Sequence, residues 1–130
     1  MPTIDISDEV FLAVAPAAVA PCVADRAAWR RWWPDLVLRV DEERGVKGVR
    51  WSVSGPLTGS MELWLEPVLD GTVLHYFLRA EPAAGARRSA AAETRHRRLA
   101  ARALAFELRD RLDSGRAPGC PPGLVSNEER

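Results

Sequence analysis

GSMELWLEPVLDGTVLHYFLRA, residues 59–80, holds the pattern that decides the fold. Apolar side chains alternate on both sides of Asp70-Gly71, a strong turn dipeptide, so the stretch predicts a β-hairpin. With Asp70-Gly71 as a two-residue turn, Glu62 falls opposite Arg79, Trp64 opposite Phe77 and Glu66 opposite His75. On the other face, Leu63 meets Leu78 and Leu65 meets Tyr76. One apolar and one charged-aromatic face are what a half-solvated antiparallel sheet requires.

Upstream, LVLRVDEE (36–43) and KGVRWSVSG (47–55) extend the meander, with turn signals at Arg44-Gly45 and Gly55-Pro56. A four-residue loop at 44–47 sets Val40 opposite Trp51 and Asp41 opposite Arg50. The expected inner face then runs through Leu38, Val40, Val49, Trp51, Val53, Met61, Leu63, Leu65, Leu74, Tyr76 and Leu78.

Residues 4–14 read as a first strand. A helix starts at Ala15-Pro16, and Pro21 is expected to kink or divide it. A second short helix covers about Arg26–Trp33 and stops before Pro34. One long helix spans about Ser89–Leu112, with no internal glycine or proline. At 100° per residue Ala90, Thr94, Arg97, Ala101, Leu104, Ala105, Leu108 and Leu112 form a stripe that should cross the apolar sheet face. Leu99, Ala103 and Phe106 fall on the opposite side. Residues 1–113 therefore form one domain, and the Pro/Gly-rich 114–130 is expected to be a mobile tail.

Composition narrows the function classes. Acidic and basic residues balance, 18 against 18, so no global field draws in nucleic acid. Cys22 and Cys120 form no CxxC pattern, which fits a reduced, cytoplasmic protein. No apolar run approaches the ~20 residues of a membrane span. Two histidines without metal-ligand spacing suggest no metal, and no phosphate loop, nucleophile elbow or cofactor motif is present.

Strand, two short helices, meander and long terminal helix is the order of the helix-grip fold. VFLAVAPAAVAPCVAD, WRRWWPD, MELWLEPV with DGTVLHYFL, and the terminal helix resemble the START-related superfamily, particularly its bacterial polyketide cyclase/dehydrase and lipid-transport-like members. The resemblance covers roughly residues 5–113. It implies an α+β fold, a curved antiparallel sheet of about five strands around the C-terminal helix, and an apolar pocket between them. Such folds usually place six strands between the second and last helices. Here 50 residues hold four, so a full-sized pocket does not follow.

The residues expected to line a pocket for a small hydrophobic or amphipathic ligand are Trp33, Trp51, Leu63, Leu65, Tyr76, Arg97 and Leu104. Tyr76 and Arg97 carry polar tips that need partners if buried. Either could polarise a carbonyl in a cyclase/dehydrase-type enzyme, and Arg97 could equally snorkel to the helix edge. His75 could be a base, or one half of a surface pair with Glu66. The basic run TRHRRLAAR is offset by Glu93, Glu107, Asp110 and Asp113, which favours a solvated face. Trp29, Trp32 and Trp33 lie on one flank of the second helix, either as a plug on the sheet or as a pocket gate. A third reading is an interaction protein without a cavity. The outer Trp64/Phe77 pair and the Leu99/Phe106 ridge would then be contact surfaces, and a homodimer through either would account for them.

Overall fold

The computed structural model describes residues 2–113. The proposed tail 114–130, with Cys120 and Leu124-Val125, lies outside the described residues. Strand β1 (Ile4–Leu12) leads into α1 (Pro16–Val23) and α2 (Arg26–Trp32). Strands β2 (Val37–Glu43), β3 (Gly48–Ser54), β4 (Leu57–Val68) and β5 (Gly71–Pro82) follow, then α3 (Ala90–Asp113). The strands form one antiparallel sheet in the order β1-β5-β4-β3-β2. The chain has the expected α+β helix-grip-like arrangement. The helices cover one sheet face, with α3 lying across β1 and β5.

Side-chain alternation determines which face is covered. Met61, Leu63 and Leu65 on β4 and Leu74, Tyr76 and Leu78 on β5 are all buried, and the residues between them are more exposed. Val49, Trp51 and Val53 continue that face on β3. Leu38 and Val40, on the edge strand β2, are only partly buried.

The hairpin register differs from the expected one. Val68 pairs with Gly71, so Leu69-Asp70 forms the turn, with Leu69 at φ 54°. Glu62 then faces Phe77, Trp64 faces His75 and Leu63 faces Tyr76. Every partner moves by two residues, which preserves the faces because the side-chain period is two. Gly71 serves close packing instead of the turn: a Cβ there would stand 2.5 Å from the Leu12 carbonyl oxygen and from the Phe11 ring. On the β2–β3 pair Val40 faces Trp51 as expected, but a bulge at Asp41 brings Glu42 opposite Arg50. The two form an ion pair at 2.8 Å.

Helix α1 also departs from expectation, running unbroken through Pro21. Pro21 leaves the Ala17 carbonyl without its helical donor, and Ala17 is exposed, so water can satisfy it. Asp25 caps α2 by accepting from the Ala27 amide at 3.0 Å. The last turn of α2 closes with the Trp33 amide donating to the Trp29 carbonyl.

Candidate functional site

Helix α2 ends over the inner sheet face and buries Trp29, Trp32 and Trp33. Trp29 and Trp33 meet Trp51 edge-on, with ring centroids 5.0 and 5.3 Å away. Trp33 also stacks on Tyr76 at 6.5 Å. The Trp29 indole donates to the Val23 carbonyl at 2.6 Å, and Trp32 donates to Glu107 on α3 at 3.0 Å. The remaining polar tips are different. Trp33 Nε1, Trp51 Nε1 and the Tyr76 hydroxyl are buried with no hydrogen-bond partner among the described residues.

Arg97 lies beside this cluster and is 1% exposed. It does not snorkel out. Its Nε donates to Glu93 at 2.5 Å, and its Nη1 and Nη2 donate to Asp35 at 3.1 and 2.7 Å. Glu93 is buried as well and also accepts from Arg88 at 3.1 Å. Burial works to raise the Asp35 carboxyl, but hydrogen bonding and charge from Arg97 outweigh it and hold Asp35 below the usual carboxylate range. Burial also pushes the Tyr76 phenol well above its usual range; Arg97 pulls against this, while Glu93 and Asp8 reinforce it. Tyr76 therefore keeps its proton at neutral pH and can donate a hydrogen bond but not act as a base.

The pairing of Glu93 and Asp35 with Arg97 was not expected from the sequence, where Glu93 counted among the solvated charges. A spacing signal was present. Positions 93, 97, 101, 104 and 108 form the stripe that is buried, and Glu93 stands four residues before Arg97 on it. Asp35, just beyond Pro34, carries no such signal.

Trp33, Trp51, Leu63, Leu65, Tyr76, Arg97 and Leu104 are all buried between the sheet and the helices. Where α3 meets β1 and β5, Asp8, Val10, Leu74, Tyr76, Leu104 and Ala105 border a slot of about 40 Å³. That volume holds little more than a water or two. The wider hollows are open grooves on the surface. One, of about 470 Å³, lies between Gly55-Pro56 and the loop 83–88.

His75 takes the surface-pair role. It sits on the outer face, 2.9 Å from Glu66 and 3.4 Å from Glu9. It stacks between Trp64 at 4.4 Å and Phe77 at 5.8 Å, joining the two aromatic rings into one column. Among the described residues no group of three His, Cys, Asp or Glu could hold a metal ion, and no helix is long and apolar enough to cross a membrane.

With this geometry in place, the chain can be set beside solved structures. It is similar to the Aha1 dimer from Colwellia psychrerythraea, with a TM-score of 0.64 and 14% identity over 88% of this chain and 99% of that one. It is also similar to the Mll3558 protein from Rhizobium loti, with a TM-score of 0.63 and 20% identity over 79% of this chain and 95% of that one. Protein CV1439 from Chromobacterium violaceum follows, with a TM-score of 0.56 and 14% identity over 82% of this chain and 98% of that one. No family profile matches the chain, and no curated protein sequence matches it significantly. At these identities the likeness shows the fold, an α+β helix-grip-like domain.

Proposed function

We propose that the protein binds a small amphipathic molecule between the sheet and α3, as a START-related carrier or binding protein. One observation carries this reading: Trp33 Nε1, Trp51 Nε1 and the Tyr76 hydroxyl, on rings that meet through Trp33, are buried without partners among the described residues. Leaving such groups unsatisfied costs about 1–3 kcal/mol each. A ligand carbonyl or carboxylate accepting from them would recover that cost. Leu63, Leu65 and Leu104 would receive the apolar part. Arg97 holds the wall rather than the ligand, since three of its donors are engaged by Glu93 and Asp35. A ligand larger than the 40 Å³ slot requires α3 to part from β1. In a cyclase/dehydrase version Tyr76 would donate to a carbonyl, but it supplies no base.

Native mass spectrometry of protein purified from its own host tests this. A retained non-covalent mass, lost in Tyr76→Phe/Trp51→Phe, is the expected result. No retained mass, with tryptophan emission unmoved by a long-chain fatty acid or a quinone, sinks the reading.

The second reading is a homodimer. Leu99 and Phe106 on the outer side of α3 are 64% and 59% exposed. The similar Colwellia protein is described as a dimer.

A further inference from the structure

We infer that two copies of this chain pair through the outer faces of their α3 helices, antiparallel, about a twofold axis passing between Arg102 and Ala103. The inference rests on the homodimer reading and adds the orientation and the register.

The buried stripe of α3 is Glu93, Arg97, Ala101, Leu104 and Leu108. Half a turn away, Arg95, Leu99, Arg102, Ala103, Phe106 and Asp110 are all exposed. Leu99, Ala103 and Phe106 are spaced four and three residues apart, the repeat of a helix-pairing seam.

The face is complementary to itself in an antiparallel register centred between Arg102 and Ala103. When paired positions sum to 205, Leu99 meets Phe106 of the second copy and Arg95 meets its Asp110. The twofold repeats both contacts, as a closed isologous interface requires. Neither Arg95 nor Asp110 has an ion-pair partner among the described residues of its own chain. Of the nearby charges, Glu107 binds Arg31 and Trp32 and Arg109 donates to the Phe11 carbonyl at 3.1 Å, while Arg98 and Arg102 likewise have no ion-pair partner among the described residues.

The surface already contains the hole that this register needs. Arg95, Arg98, Leu99 and Arg102 are the i, i+3, i+4 and i+7 positions that surround a knob from a facing helix. With Ala91 and Thr94 they line a groove of about 300 Å³. The knob that the register delivers there is Phe106. Arginine stems and guanidinium planes suit an aromatic ring in both packing and charge.

The test uses two charge reversals at exposed positions, Arg95→Glu and Asp110→Arg, with sedimentation to read association. Wild type should dimerise. Each reversal alone should weaken its homodimer by at least about tenfold, because both symmetry-related pairs become repulsive. An equimolar mixture of the two variants should recover wild-type association, since in the heterodimer both positions regain opposite charges. A wild type that stays monomeric at roughly 100 μM overturns both the homodimer reading and this interface. A wild-type dimer whose variants associate normally, or whose mixture fails to recover, leaves the homodimer standing and overturns the interface.

Discussion

Arg97 reaches from α3 to Asp35 and binds both carboxylate oxygens with its two terminal nitrogens, at 3.1 and 2.7 Å. Residues 62 positions apart are thereby joined, and the link between α2 and β2 is tied to the long helix. The third donor, Nε, goes to Glu93. Arg97→Met would leave the buried Glu93 carboxylate with Arg88 alone. We expect a loss of about 3 kcal/mol in urea-unfolding free energy. Adding Glu93→Gln should return part of that loss, because the uncompensated charge is then removed. If the double variant is no more stable than Arg97→Met, the buried charge is not the cause.

Stability should depend on pH through Asp35. Its carboxyl is held low in the folded protein, so its contribution is fully present above the unfolded value of about 3.9. That contribution is lost as pH falls through the lower folded value. The stability difference between wild type and Asp35→Asn should therefore be flat from about pH 7 to 5 and narrow below about pH 4. Denaturant unfolding at several pH values checks this; a difference that widens towards acid pH contradicts the assigned shift.

Tyr76→Phe separates stability from binding. Removing a buried hydroxyl that has no partner should leave the ligand-free protein equally stable, or up to about 1 kcal/mol more stable. Ligand affinity should fall by about tenfold with the lost hydrogen bond. Thermal unfolding of stripped protein, set beside titration with the ligand found by mass spectrometry, measures both. Marked destabilisation of the stripped variant would show that the hydroxyl has a structural partner.

The β4–β5 turn gives a pair of opposite outcomes. Leu69 is 99% exposed and sits at φ 54°, a conformation that favours glycine. Leu69→Gly should gain about 0.5–1 kcal/mol. Gly71→Ala should lose about 1–3 kcal/mol, because its methyl group would collide with the Leu12 carbonyl and Phe11. Were Asp70-Gly71 the turn, Gly71 would stand clear of β1 and Gly71→Ala would produce no such collision.

This turn also shows where reading the sequence stops. Alternation on either side of residues 69–71 assigned Leu63, Leu65, Leu74, Tyr76 and Leu78 to the covered face, and they are buried there. It could not choose between two registers that differ by two residues, since both present the same faces. The choice depends on β1, where Phe11 and Leu12 approach Gly71 too closely for any side chain. Trp64 therefore stacks on His75, with Phe77 one ring further along the column.

The sequence by itself determined the order of elements, the inner sheet face and the core of the α3 stripe, because periods of 2 and 3.6 are local properties of the chain. Only the tertiary structure decided the register, the burial of Arg97 with Glu93 and its pairing with Asp35, and the filling of the interior by tryptophan. Those depend on which distant groups meet. A charge can be buried only where its counter-charge also arrives, and a cavity remains only where packing leaves one.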